Sequence, residues 1–321
     1  MKILLTGSEG FVGGYLRENL EQSGHTVYCI DRVEVKRLKY FRFDLSNEVS
    51  KLFDLLKDET FDLLIHLAAA KGDYNLGYDD FYRDNVTASN NLINLIKALN
   101  ITSVIAYSTV SVYGHNNTIK SEEAELAPNN AYGETKLKSE KLFMKWYNLN
   151  TSSNKLTILR PSVIYGENNF ANMFNMLKQL NAKYPISIGN GNYIKSMVAI
   201  ENLVNMTNFA IKKMGGLQIY NCTDRPYPKL NEVISYIAEI KGFSKPKLII
   251  PKWFGYFLSL FFETLSYFLK RDLGVTRERV YKFTMATDYR SEKLHSLGYV
   301  QEYSVKDRVQ NMAKWYLKIK K

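Results

Sequence analysis

The sequence predicts an α/β protein organised on a doubly wound parallel sheet. Three observations carry this reading. Glycines spaced Gly7-x-x-Gly10-x-x-Gly13 lie between an apolar strand and a helix, Asp31 closes the second strand, and strands alternate with helices up to Tyr107.

Ile3-Leu4-Leu5 is the first strand and Tyr15 to Gln22 the first helix. Between them, Thr6-Gly7-Ser8-Glu9-Gly10-Phe11-Val12-Gly13 suits a dinucleotide: glycines permit a tight turn, a close approach to pyrophosphate, and close packing of helix on sheet. The phosphates would meet the helix N-terminus, where free N–H groups favour anions. A second strand, Thr26 to Ile30, ends at Asp31, whose carboxylate suits an adenosine ribose and repels a 2′-phosphate, so NAD is expected over NADP. Arg32 beside it blurs that preference, and Asp31 also fits a simple solvated strand end.

Strand, helix and strand follow at Tyr40 to Phe43, Val49 to Lys57 and Phe61 to His66. Asp44-Leu45 and Leu67-Ala68-Ala69-Ala70 then sit at carboxyl ends of strands, where ligands bind in such sheets. Asp80 to Leu99 reads as one long helix. Within it Asn85 is a poor helix former whose amide suits backbone groups of neighbouring strands as well as a ligand.

A buried strand, Val104 to Tyr107, leads into Ser108-Thr109-Val110-Ser111-Val112-Tyr113-Gly114. Further on, Tyr132 and Lys136 open a helix and share one of its faces. An ammonium there would stabilise a phenolate and pull the tyrosine pKa down from roughly 10. With the Thr109 hydroxyl holding an alcohol against the phenol, the set forms a proton relay for carbonyl chemistry beside a hydride carrier.

Composition bounds the alternatives. A chain of 321 residues holds one large domain, or a main domain with a smaller lobe. With 45% hydrophobic and 23% charged residues it reads as soluble and globular. A net charge of +11 points to an anionic partner: a diphosphate-linked substrate, an acidic membrane surface or nucleic acid. No nucleic-acid-binding signature appears among the dispersed Lys and Arg, so that partner is not expected. Cys29 and Cys222 read as reduced buried thiols, and the four histidines lack metal-ligand spacing. Met1 to Leu5 runs directly into the strand–turn–helix unit, so no leader peptide is expected. The expected place is the cytoplasm, with the inner membrane face as an option.

Taken together, Thr6 to Gly13, Asp31, Asp44-Leu45, His66 to Ala69, Asn85, Ser108 to Gly114, Tyr132/Lys136 and Arg160-Pro161-Ser162-Val163-Ile164-Tyr165-Gly166 resemble the extended short-chain dehydrogenase/reductases, the NAD-dependent sugar epimerase/dehydratase group. The resemblance implies a Rossmann domain over residues 1–165. It implies a smaller C-terminal α/β substrate lobe over 166–321, some of whose segments return to the first domain. Bound NAD and a homodimer are implied as well. Thr109, Tyr132 and Lys136 would carry the chemistry. NAD would lie along Gly7, Gly10, Phe11, Val12 and Gly13, with Asp31 and Arg32 at the ribose. Asp44, Leu45, Leu67, Ala68, Ala69, Asn85, Ser108, Tyr132 and Pro161 would also contact it, and Lys136 would bond the nicotinamide ribose. The sugar would meet Lys71, Val110, Ser111, Val163, Asn169 and Lys195 besides Thr109 and Tyr132.

Two departures refine the resemblance. The 4,6-dehydratases place Asp-Glu directly after the catalytic Thr, and Val110-Ser111 cannot do that acid/base work, so dehydration is not expected. UDP-sugar epimerases usually carry Asn where this chain has Val163, and an Arg where it has Lys195, which loses the bidentate fork. These changes resemble bacterial epimerases acting on undecaprenyl-diphospho-N-acetylglucosamine. Trp253 to Phe262 is read first as a buried helix of the lobe, and alternatively as an interfacial helix on a bilayer. The rival functions are a net 4-keto-sugar reductase, an NAD-sensing binding protein and a membrane-surface scaffold.

Overall fold

The computed structural model describes residues 1–70, 76–114, 118–269 and 277–320. Seven parallel strands form the main sheet in the order β10-β6-β5-β4-β1-β2-β3. They are β1 (Lys2–Thr6), β2 (Thr26–Asp31), β3 (Tyr40–Arg42), β4 (Leu63–His66), β5 (Ser103–Tyr107), β6 (Lys155–Pro161) and β10 (Leu217–Cys222). The order reverses between β1 and β4, and this switch point opens a crevice at the carboxyl ends of the strands. Because every pairing is parallel, Thr6, Asp31, His66, Tyr107 and Pro161 all end on that edge.

Helices cover both faces, so the central strands are apolar throughout: Ile3-Leu4-Leu5 and Leu63-Leu64-Ile65 are fully buried. One face packs on α1 (Phe11–Gln22) and α7 (Ile200–Lys212), the other on α2 (Ser50–Leu56), α4 (Ala88–Ala98) and α5 (Ala131–Asn148). The single helix expected from Asp80 is instead three joined pieces. α3 (Tyr78–Phe81) passes through a π-helical segment, Tyr82–Thr87, into α4. The extra residue per turn falls where Asn85 must reach two neighbours, as described below.

The strand Leu217–Cys222, expected in the lobe, pairs with β6 in the main sheet, and α7 packs beneath it. The smaller lobe holds two parallel pairs. β7 (Val163–Tyr165) lies beside β9 (Met197–Ala199), and β8 (Ile186–Ile188) beside β11 (Leu248–Ile250). Its core joins α6 (Asn172–Leu180), α8 (Leu230–Ala238) and α12 (Val305–Ile319); α10 (Arg277–Thr284) and α11 (Glu292–Ser296) complete the chain.

The buried-helix reading of Trp253 to Phe262 is overturned. α9 (Lys252–Leu269) turns Gly255 and Ser259 inward, and an added Cβ at Gly255 would meet Ile188 Cγ2 at 2.7 Å. Small residues let the helix lie close on β8. The aromatic residues face out instead: Trp253 is 72% exposed, Phe257 63% and Phe261 61%.

Candidate active site

The glycine turn is shaped by contact. Gly7 has φ +72°, and a side chain there would meet the Ala68 backbone nitrogen at 2.6 Å. A Cβ at Gly13 would stand 2.0 Å from the Gly7 carbonyl oxygen, so only glycine lets α1 start against the loop. Gly10 is the N-cap of α1; no side chain caps the helix and no acidic residue occupies its first turn. Phe11 and Val12 complete that turn, half-buried. This leaves backbone N–H groups and the positive end of the helix for an anion.

At the adenosine end, Asp31 accepts hydrogen bonds from the Glu9 and Val33 amides (2.9 and 3.3 Å). The cations near it are already paired: Arg32 with Asp84 at 3.1 Å, and Arg37 with Glu9 at 2.7 Å. Asp44 fixes its own turn through the Ser46 amide, and the Leu45 side chain packs in the core. Leu67 and Ala68 hang from Thr6, whose hydroxyl also meets buried His66 at 2.8 Å. Ala69 is half-buried beside them. Burial pushes the His66 imidazole down to about 3, with Lys136 acting in the same sense, so this ring is a neutral spacer.

Asn85 is bonded on both sides of its amide by protein. Its carbonyl accepts from the Ala70 amide (2.8 Å) and its NH₂ donates to Thr135 (3.0 Å). It ties α5 to the loop after β4, and its bond to the Ala70 amide is the backbone contact that its sequence context also suited. Asn169 likewise serves its own loop, donating to the Ile164 carbonyl and accepting from the Ala171 amide. The Val110 side chain turns into a small apolar cluster with Val112, Tyr113, Leu137 and Tyr289. Lys71 lies outside the described residues.

The chemistry-bearing groups meet where β5 ends. Thr109 caps a 3₁₀ turn, Val110–Tyr113, by accepting from the Ser111 amide (3.1 Å), and its hydroxyl reaches the Ser111 hydroxyl at 3.2 Å. Asn130 caps α5 through the Gly133 amide (2.8 Å), so Tyr132 and Lys136 stand in its first turns. Gly133 sits under that turn: an added Cβ would be 2.5 Å from the Ser111 carbonyl oxygen. Gly133→Ala is therefore expected to push Tyr132 from Thr109 and lower kcat at least about tenfold, a small displacement being costly to a proton relay. NAD content should be unchanged; wild-type kcat would show the close approach to be dispensable.

Burial raises the Tyr132 phenol above its ordinary value, and a hydrogen bond from the Thr109 side chain works the other way. Lys136 is itself buried and pushed down to about 8 by desolvation, with Glu140 opposing. Ser108 presents a buried hydroxyl with no hydrogen-bond partner among the described residues at the same edge, and Pro161 ends β6 opposite it. The glycine cradle, the uncapped helix start and this hydroxyl fit a dinucleotide laid across the switch point.

In the lobe, Val163 pairs with Met197, placing Lys195 just beyond the β7–β9 ladder. The Lys195 ammonium donates to the Met285 carbonyl (2.7 Å). Sequence reasoning missed a network that braces the whole arrangement. Arg160 forms a buried bidentate pair with Glu140 (2.9 and 2.7 Å) and donates to the Tyr113 hydroxyl (2.8 Å). Its signal was Arg160 following Ile158 and Leu159 in a predicted core strand, a position that demands a buried acid.

Residues 3–223 match the NAD dependent epimerase/dehydratase family. Over 311 residues the chain is 28% identical to the N-acetyl-alpha-D-glucosaminyl-diphospho-ditrans,octacis-undecaprenol 4-epimerase of Escherichia coli O157:H7, covering 94% of this chain and 91% of that one. It is 24% identical to a UDP-glucose 4-epimerase of Lactobacillus helveticus, across 78% of this chain and 85% of the relative. In fold it resembles the UDP-glucuronic acid 4-epimerase of Bacillus cereus solved with NAD, at a TM-score of 0.78 and 22% identity over the full length of both. The glycine cradle, the Thr109–Tyr132–Lys136 constellation and the match through most of the chain agree: this protein belongs to the NAD-dependent epimerase/dehydratase family.

Proposed function

We propose that the protein is an NAD-dependent C4 epimerase of a diphosphate-linked N-acetylhexosamine, with undecaprenyl-diphospho-N-acetylglucosamine as substrate. The observation that carries this is the turn after β5: Thr109, whose side chain works against the upward shift of the Tyr132 phenol, followed by Val110 and Ser111 with no carboxylate to expel water. The relative matched over 94% of the chain supports the lipid-linked sugar.

NAD, when bound, supplies the acceptor for the C4 hydride and the means of returning it, with no net redox change. Tyr132 takes the proton of the sugar 4-hydroxyl and later gives it back to the 4-keto oxygen. Thr109 holds that oxygen against the phenol in both steps. Lys136, buried one helical turn away, would bond the nicotinamide ribose when the cofactor is bound. The 4-keto sugar turns over between the two steps, so the returned hydrogen enters from the opposite face.

The test is a paired assay without added reductant, using UDP-N-acetylglucosamine in one reaction and the polyprenyl-diphospho sugar in the other. Conversion of the lipid-linked sugar is expected. Conversion of only the UDP-sugar would overturn the carrier, and conversion of neither, with NADH consumed stoichiometrically on a 4-keto sugar instead, would make the protein a net reductase.

The same reading includes peripheral contact with an anionic bilayer. Among the described residues no helix is long and apolar enough to cross a membrane. The outward face of α9 nevertheless exposes Trp253, Phe254, Phe257, Leu260 and Phe261, and the nearby strand β11 exposes Leu248 and Ile249 with Lys245 and Lys247 beside them. Aromatic residues among lysines, on a chain of net charge +11, complement an acidic lipid surface. Replacing Phe257 and Phe261 with Ser should weaken cosedimentation with phosphatidylglycerol vesicles at least about tenfold, each ring contributing ~1.5 kcal/mol or more when buried. Wild-type protein left in the supernatant would sink the bilayer assignment. A homodimer, supported by family resemblance, should sediment at twice the chain mass.

A further inference from the structure

We propose that Glu9 is a second determinant of cofactor choice: it holds the Arg37 guanidinium in an ion pair beside Asp31, and so denies the 2′-phosphate of NADP a counter-charge. Asp31 repels such a phosphate, but two arginines, Arg32 and Arg37, follow it closely. A guanidinium fork suits a phosphate monoester, so these arginines by themselves pull toward NADP. Both are occupied by protein carboxylates. Arg32 turns to Asp84 at 3.1 Å, and Arg37 places two nitrogens on the two oxygens of Glu9 at 2.7 and 3.4 Å. The Ser8 hydroxyl donates to the same carboxylate at 3.2 Å. Arg32 is 58% exposed and its pair contributes little, whereas Arg37 and Glu9 are 28% and 17% exposed, so theirs is the pair that holds.

Glu9 is fixed at the ribose end of the site by its backbone. Its amide donates to Asp31 Oδ2 at 2.9 Å, and the turn it belongs to hangs on β2 through the Gly7 amide and the Ile30 carbonyl, also 2.9 Å apart. The two carboxylates therefore form one cluster, and Tyr40 reports it. Burial pushes the Tyr40 phenol up to about 12; the charges of Asp31 and Glu9 act in the same sense, and Arg37 opposes them. The Arg37 guanidinium lies 5.9 Å from the centre of that ring. The turn itself does not need the Glu9 side chain, since its shape comes from the glycines and no side chain caps α1. With Glu9 in place, a 2′-phosphate meets two carboxylates and an arginine already paired. With that charge removed, the guanidinium is released beside the ribose to bond phosphate.

The experiment dialyses the purified protein to equilibrium against equal concentrations of NAD and NADP, then releases the bound dinucleotide and measures the two by chromatography. No sugar takes part, so the result is independent of which sugar the enzyme converts. Wild type is expected to hold NAD in large excess. Glu9→Gln, nearly equal in size, should raise the ratio of bound NADP to NAD at least about tenfold, the gain of one charge-assisted contact. Glu9→Ala should act in the same direction. Adding Arg37→Met to Glu9→Gln should abolish the gain, because the released guanidinium is then absent, whereas adding Arg32→Met should leave it in place. Total dinucleotide per chain should stay at the wild-type level in Glu9→Gln. A wild-type ratio in both Glu9 variants overturns the proposal. A gain that survives Arg37→Met overturns it as well, because repulsion by the carboxylates alone would then set the choice.

Discussion

Tyr132→Phe is expected to lower kcat about 10³-fold, the range for loss of a positioned proton-transfer group, while the protein folds normally and keeps its NAD. The change removes one oxygen. The ring retains its contact with Phe81, 6.1 Å between centroids, and α5 keeps its Asn130 cap. The glycine turn and Asp31 are untouched, so cofactor content after purification should match wild type. What is lost is the acceptor for the sugar hydroxyl proton, which neither Thr109 nor Ser111 can replace at ordinary pH. Thr109→Val should behave similarly, because it removes the group that holds the sugar oxygen to the phenol and the one hydrogen bond opposing the upward shift of Tyr132. Undiminished turnover in Tyr132→Phe would remove the assigned acid/base.

Arg160→Met is expected to destabilise the protein by ~3–5 kcal/mol, measured by urea unfolding, as found when one member of a buried ion pair is removed. Arg160 is 1% exposed and Glu140 2%. Loss of the guanidinium strands a carboxylate in the core and leaves the Tyr113 hydroxyl short of a donor. The effect should reach the active site. Tyr113 belongs to the turn begun by Thr109, bonds Asn221 of β10 (2.8 Å), and stacks on Tyr289. Adding Glu140→Gln to Arg160→Met should recover part of the stability, because the stranded charge is then gone. A double variant no more stable than the single one would show that lost packing, not the uncompensated carboxylate, sets the cost.

How much of this was legible in the sequence depends on the range of the interaction. The glycine spacing, Asp31 at a strand end and Tyr132 one turn from Lys136 are local patterns, and strand periodicity fixed where each falls along its element. Parallel pairing then brings the strand ends to one edge without further information. Asn85 shows the limit. Its helical position was readable, but its partners, Ala70 and Thr135, lie 15 and 50 residues away, and a π-helical segment was needed to reach them. The return of Leu217–Cys222 to the main sheet is equally non-local, since an apolar strand fits an edge of either sheet.

The α/β class, the glycine cradle, the Thr109–Tyr132–Lys136 set and the family are encoded in residues close along the chain or in a fixed order. Which face of α9 meets water is set by packing between distant segments. Its inward face carries Gly255 and Ser259 for close packing on Ile188, while its aromatic residues point out, so placing the apolar face inside picks the wrong side. Tertiary structure alone also paired Arg160 with Glu140 and Arg37 with Glu9. Charges separated by 20 or 28 residues meet only once the chain has folded, and no local period encodes that distance.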